Sequence, residues 1–377
     1  MPSQQGLNYS YWELRDYFRR FDLIVIGSGI VGLSTAISFK ENNRRASILV
    51  LERGIFPNGA STKNAGFACF GSAGELLDDL EKTDEKTVWE TVEMRFRGLA
   101  LLRNKIGDKN MNYLPLGGFE LFTNTGEFNR CADQIQTLNN QMRELLDIRT
   151  CYKIAPNTFG FKKIKGIINN GYEGQLDTGM MMEALVTLAR KQGISFLNGV
   201  TVKAIDDTAT GVTLLTNAGV FSALRVAVAT NGFASQLLDL NEVLPARAQV
   251  LITSTIRNLQ IRGTFHFDKG YYYFRNVEDR ILFGGGRNLD VKGETTFDNG
   301  SNEDIHRALD DCLRTIILSD TPYTVEARWS GIMGVGKEKK PIIRYITPRI
   351  LAAVRMGGMG IAIGSMVGEK AASMLSE

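Results

Sequence analysis

The clearest signal in the chain is a change of hydrophobic period. Four consecutive apolar residues, Leu23-Ile24-Val25-Ile26, read as a buried strand. Beyond Gly27-Ser28-Gly29-Ile30-Val31-Gly32 the apolar positions switch to helical spacing at Leu33, Ala36, Ile37 and Phe39. A second apolar run, Ile48-Leu49-Val50-Leu51, then ends on Glu52-Arg53. Strand, glycine turn, helix, strand and acid in this order make up the dinucleotide-binding fingerprint. Gly27 permits the tight turn, Gly29 leaves the backbone bare for a pyrophosphate, and Gly32 lets helix and strand pack closely. Ile30 and Val31 open a helix whose free N–H groups and dipole favour an anion. Glu52 can accept hydrogen bonds from a ribose diol.

Further along, residues 75–108 carry apolar positions at mixed three- and four-residue spacing and predict a helix. Residues 115–123 read as a strand pair around Gly117-Gly118, and 127–147 as a polar amphipathic helix. Asp177 is a plausible N-cap for a helix over 180–191 that stops at Gly193. Its Met180-Met181-Met182 triplet is read as helix packing rather than a ligand set. A short meander follows, with strands near 194–197, 200–206 and 212–216, a turn at 217–219, and strand again to Ala229. Residues 246–288 are strand-rich and 302–318 helical. The chain closes with a strand at 350–354, the loop Gly357-Gly358-Met359-Gly360, and a helix from Ile361 onward. It therefore leaves and re-enters its nucleotide unit, and a second domain is built from the insertions.

The composition narrows the function classes. The 377 residues suffice for two or so domains, and 44% hydrophobic with 23% charged residues is ordinary for a globular protein. A net charge of +3 is too small to argue for nucleic acid or an anionic membrane. The Lys337-Glu338-Lys339-Lys340 run reads as an exposed loop. Cys69, Cys131, Cys151 and Cys312 lack metal-ligand spacing, as do His266 and His306, so no metal is expected. Residues 1–20 lack the apolar core and cleavage site of a signal peptide, and the run at 23–26 is too short to span a bilayer. A cytoplasmic protein is expected, a monomer or homodimer.

Taken in order, several landmarks resemble the FAD-dependent D-amino-acid-oxidase-like superfamily of glycine oxidase, sarcosine oxidase and γ-glutamylputrescine oxidase relatives. Ser10-Tyr11-Trp12 resembles the aromatic lead-in of the putrescine-oxidase branch. Ser61-Thr62-Lys63-Asn64-Ala65-Gly66 resembles that branch's loop along the flavin. Thr201-Val202 matches the strand whose backbone reads the adenine, and Ala229-Thr230-Asn231-Gly232 stands where the family often has Ala-Thr-Gly. Pro245-Ala246-Arg247-Ala248-Gln249, Trp329-Ser330-Gly331 and Gly357-Gly358-Met359-Gly360 complete the series. The resemblance implies FAD as cofactor and an α/β fold: a Rossmann-type FAD-binding domain with an inserted antiparallel-sheet substrate domain. The expected division is 1–80, 173–244 and 326–377 for the FAD-binding domain, with 81–172 and 245–325 for the substrate-binding domain. Independently, a helix beginning near Met359-Gly360-Ile361 would aim N–H donors at the negative charge of a reduced flavin.

The resemblance implies oxidation of a C–N bond in an amino acid or amine by hydride transfer to flavin N5. The alternatives are a 2-hydroxy-acid dehydrogenase using a non-oxygen acceptor, a tRNA-modifying oxidoreductase, and a flavin-holding subunit without turnover. Tyr271 matches the aromatic that glycine-oxidase relatives set over the substrate, and it shares a strand face with Tyr273. Arg328 and Arg355 are the first candidates to bind a substrate carboxylate, with Arg275 and Arg287 behind them. Several positions depart from the family pattern. Asn231 replaces a usual glycine, Arg344 stands in the penultimate turn, and Leu282 falls near the oxygen-activating Lys of the sarcosine-oxidase branch. Ile332 and Met333 stand where that branch links its flavin to Cys, so non-covalent FAD is expected.

Overall fold

The unbroken apolar runs of the sequence become the centre of a largely parallel sheet. In the computed structural model, which describes residues 8–377, its order is Ile342–Thr347, Ile350–Val354, Gly219–Val228, Arg20–Ile26, Ile48–Glu52, Ser195–Asn198. The antiparallel strands Gly211–Thr216 and Val202–Thr208 extend from Gly219–Val228. Alternate residues feed two separate cores. Leu23, Val25, Ile48 and Val50 face one, while Ile24, Ile26, Leu49 and Leu51 face the other. A sheet covered on both faces needs apolar residues at every position, which is why the runs show no alternation.

One of those faces is covered by closely packed helices. Gly368 of the closing helix Gly360–Ser376 lies against Ile30–Asn42, where an added Cβ would sit 2.5 Å from Ser34 Cβ. Gly98 of Glu85–Ile106 abuts the closing helix in turn, its missing Cβ position 2.3 Å from the Ala362 carbonyl oxygen.

The second eight-stranded sheet runs Val325–Val335, Leu244–Thr253, Arg280–Gly285, Tyr272–Val277, Thr264–Phe267, Gly118–Phe122, Gly166–Asn170, Tyr152–Ala155. Every pairing in it is antiparallel except Thr264–Phe267 with Gly118–Phe122. Phe265, Phe274 and Phe283 pack on one face with Ile305 and Leu309 of the helix Glu303–Cys312. The opposite face contains Tyr273 and Val250. A two-stranded pair, Phe67–Ala68 with Gly174–Gln175, completes the strands.

Several sequence expectations change on folding. The helix expected over 75–108 is two, Ala73–Leu80 and Glu85–Ile106. Asp84 starts the second by accepting from the Thr87 amide at 2.9 Å, a local cap that outweighs the continuous apolar spacing. The strand pair expected at 115–123 is one strand, Gly118–Phe122, whose partners come from elsewhere in the chain. The helix at 302–318 ends in a wide turn at Leu313–Ile317. Val325–Val335, allotted with 326–377 to the nucleotide-binding segments, pairs instead with Leu244–Thr253 in the second sheet. Asp177 does cap Thr178–Lys191, accepting from the Met180 amide at 2.8 Å, and Met181 and Met182 are buried in the core. The expectations for residues 1–20 and 1–80 fall in part on residues 1–7, outside the described residues. Among the described residues no helix is long and apolar enough to cross a membrane.

Candidate functional site

A cavity of about 1350 Å³ is lined by both large sheets. It is larger than the ~300–1,000 Å³ of usual small-molecule pockets. Its first section is built by the glycine turn. Gly27 has φ +101°, a conformation that side chains rarely adopt, and a Cβ on Gly32 would lie 1.9 Å from the Gly27 carbonyl oxygen. Gly32 is therefore a packing residue, away from the cavity lining, whereas Gly27, Gly29, Ile30 and Val31 line it. The N-cap residue of Ile30–Asn42 is Gly29, which has no side chain to cap the helix. Glu52 accepts from the Ser28 amide at 3.1 Å and the Ser28 hydroxyl at 2.6 Å through one oxygen, and from the Gly54 amide at 2.8 Å through the other. Arg53 lies over the Phe233 ring at 4.3 Å, and Val202 closes this end.

The middle section joins the two sheets. Ser61, Lys63, Asn64 and Ala65 line it. Ser61 Oγ accepts from the Ile30 amide at 3.0 Å, and the Trp329 indole donates to the Lys63 carbonyl at 3.0 Å. Gly331 packs beside Lys63. Thr62 turns away, donating to the Pro57 and Gly59 carbonyls, and Gly66 receives its bend from the Asn64 side chain. Opposite lie Thr230, Asn231 and the loop Gly357, Gly358, Met359, Gly360 and Ile361. Asn231 holds that loop, its Oδ1 accepting from the Arg355 and Met356 amides at 3.1 Å each. Gly232 lies outside the lining, buried against the Met333 backbone. The closing helix has no side-chain cap and no acid in its first turn.

The third section is a polar chamber that sequence reasoning largely missed. Strand register sets Glu120, His266 and Tyr273 side by side, with Gly284 next in the row. A Cβ on Gly284 would meet the Tyr273 ring at 2.7 Å, so that glycine makes room for the ring. Burial raises the Tyr273 phenol to about 12 and lowers the His266 imidazole to about 4, leaving both neutral at pH 7. Glu173 accepts from the Phe70 and Gly71 amides at 2.9 and 3.1 Å. Burial, against those two amides and the Cys69 thiol, raises its carboxyl to about 7. Glu120, bonded to the Gly74 amide at 2.8 Å, is raised by burial to about 8. Burial also acts against Glu75, but Arg95 and Lys339 outweigh it and hold that carboxyl down to about 2. Glu75 Oε1 lies 3.2 Å from Arg95 and 3.0 Å from Lys339.

The expected substrate residues fare differently. Tyr271 is 46% exposed, precedes the strand Tyr272–Val277 and does not line the cavity; the aromatic there is Tyr273, two residues on. Arg328 is outside as well, paired with Asp310 at 2.8 Å and 3.1 Å from the His306 ring. Arg355 reaches the lining, with φ +67°, yet donates to the Lys340 carbonyl at 3.0 and 2.8 Å and so fastens the 338–341 segment. Arg275 donates to the Ala65 and Leu176 carbonyls and braces the 63–66 loop. Arg287 contacts Thr295 and Arg344 pairs with Glu242, neither lining the cavity. Register could have revealed the chamber, since Glu120 and His266 become neighbours only once two distant strands pair.

A bare glycine turn, an acid at the next strand end and two helix starts whose N-cap residues give no side-chain cap lie along one long cavity. The chain matches the model of the FAD dependent oxidoreductase (DAO) family over residues 22–374 and belongs to that family. It is 23% identical to a probable oxidoreductase, OrdL, of Rhizobium meliloti, covering 93% of this chain and 82% of that one. Among solved structures, glycine oxidase from Geobacillus kaustophilus matches with a TM-score of 0.73 at 21% identity, covering 94% of each chain. Iminodiacetate oxidase from Chelativorans sp. BNC1 matches with a TM-score of 0.74 at 16% identity, covering 93% of this chain and 94% of that one. These two likenesses establish a shared fold. The protein is an FAD-dependent oxidoreductase, and the residues present fit that cofactor. The Thr230 hydroxyl is buried in the wall without a partner, and Gly29 leaves the space beside Ser61 free of any side chain.

Proposed function

We propose that the protein oxidises the C–N bond of an amino acid or amine in the chamber beneath Tyr273. The observation carrying this reading is the continuity of the cavity. The stretch fit for a dinucleotide opens directly into a chamber lined by Tyr273, His266 and Glu173. When bound, FAD supplies the two-electron acceptor, and the protein supplies binding, orientation and electrostatics. In this reading Glu52 holds the ribose diol, the amides after Gly29 meet the pyrophosphate, and Val202 lies at the adenine. The 61–66 loop and the Gly357–Ile361 loop would hold the isoalloxazine ring, and the start of the closing helix would stabilise negative charge on it. Ile332 and Met333 offer no thiol, so the cofactor is held non-covalently.

The chamber suits an amine. It holds two neutral groups, Tyr273 and His266, and a carboxyl, Glu173, that ionises near neutral pH. Its Arg95 is already engaged by Glu75, so no guanidinium there is left to clamp a carboxylate bidentately. Anaerobic bleaching of the flavin band against amino acids, N-methyl amino acids, polyamine conjugates and hydroxy acids tests the reading. At least one amine is expected to bleach the band. Bleaching by hydroxy acids alone, or by none of the panel, overturns it.

A further inference from the structure

Hydride can leave a carbon beside nitrogen only when that nitrogen has a lone pair to share. An alkylammonium ion must first lose a proton, and the chamber has to accept it. We propose that Glu173 is the catalytic base of this site, taking the proton from the bound substrate's ammonium group. This inference rests on the amine reading above.

Position argues for Glu173. It immediately precedes the strand Gly174–Gln175, whose pairing with Phe67–Ala68 brings the Phe70 and Gly71 amides onto its carboxylate. The side chain is buried from bulk water, 3% exposed, yet lines the cavity. The fixed amides hold one oxygen and fix the rotamer, as a general base requires before geometry and proton affinity can matter. A second feature is the His266 ring on the facing strand. Its Nδ1 is buried without a partner, and the ring lines the same cavity.

The groups facing Glu173 come from every element around it. Cys69 and Glu75 lie on the near side, Arg95 behind Glu75, Glu120 and His266 on the sheet, and Tyr113, Cys151 and Tyr152 beneath. Of these, Glu75 is held ionised by Arg95 and Lys339 and is not a proton acceptor near neutral pH. Burial raises the Cys69 thiol, so it stays protonated. Glu120 lies behind Ser72 and Glu173, off the main cavity. Glu173 is left as the chamber carboxylate that changes charge where an amine substrate needs it to.

The step balances simply. The substrate N–H bond breaks, its electron pair stays on nitrogen, and the proton forms an O–H bond on Glu173. The neutral amine is the form from which bound FAD, the two-electron oxidant, would accept hydride, and the iminium so left would carry the positive charge.

The test compares wild type, Glu173→Gln and Glu173→Asp as FAD-loaded proteins, with the best amine of the panel. In wild type, anaerobic reduction should rise with pH through about 7, and a carboxyl C=O infrared band should fade over the same range. Glu173→Gln should lose that band and that limb of the profile, with reduction slowed ~100-fold or more. Glu173→Asp should restore part of the rate. An unchanged pH profile in a Gln variant that still holds FAD and binds the amine overturns the inference while leaving the amine reading intact. Reduction by no amine, with the infrared band still titrating in wild type, overturns the amine reading and this inference with it.

Discussion

The two ends of the cavity are built by opposite means. At the dinucleotide end the contacts are local: Gly27, Gly29 and Glu52 lie on one strand–helix–strand unit, and backbone groups dominate. At the chamber end the contacts are distant in sequence. Glu173, His266 and Tyr273 meet there through strand pairings and loop crossings, with Glu120 behind them, and side chains dominate. A backbone-made site is fixed by what is missing, whereas a side-chain-made site is fixed by what each residue carries. The first tolerates little change of size and the second little change of charge.

The largest expected effect lies at the backbone-made end. Gly29→Glu sets a charged side chain against Ser61 and into the stretch proposed for the pyrophosphate. It should abolish FAD retention, read as loss of the yellow colour after purification. A stoichiometrically loaded variant would remove the assignment of the phosphate loop. Next comes the chamber aromatic. Tyr273→Ala should lower kcat/KM at least ~10-fold, a loss of about 1.4 kcal/mol or more of transition-state stabilisation. Tyr271→Ala, outside the cavity, should leave it unchanged. Equal effects would mean that the chamber is misassigned.

A third variant probes the join. Asn231→Ala leaves the Arg355 and Met356 amides without their acceptor and should cost about 1–3 kcal/mol in urea unfolding. A fourth test uses pH. Glu120 and Glu173 have folded values of about 8 and about 7, above the ordinary 4.5, so the folded state binds more protons between those limits. Their favourable share of stability is full below about 4.5 and is lost as pH rises through 7 and 8. The melting temperature of the loaded protein should therefore fall from pH 6 to 9, and Glu120→Gln should flatten the fall. The smallest effect belongs to Arg328→Ala, which removes a pair with a half-exposed Asp310 and should shift stability by under ~1 kcal/mol, with turnover unchanged.

The same contrast decides what the sequence made legible. The period change at Leu23–Phe39 and the acid at Glu52 are local signals, and they point to a dinucleotide from the sequence alone. Asp177 was readable as a cap for the same reason, since its acceptor and the Met180 amide are three residues apart. Glu120 and Glu173 had no local mark. They are ordinary acids until pairing buries one beside His266 and a loop crossing buries the other under Phe70 and Gly71. The arginines misled in the opposite sense. Arg328 and Arg355 are chemically suited to a carboxylate, but nothing local records that Asp310 and the Lys340 carbonyl already occupy them. Asn231, where a glycine is usual, holds Arg355 and Met356 in place through its side chain.

The closing helix lies against Ile30–Asn42, far ahead of it in the chain, with Gly364 meeting Ile30 and Gly368 meeting Ser34. During translation, therefore, the glycine turn emerges more than 300 residues before the helix that gives its cleft a second wall. A nascent chain stalled before Gly360 would expose that half-made cleft to the ribosome's surroundings, and the vitamin-derived cofactor would have nowhere to settle until Gly360–Ser376 had emerged.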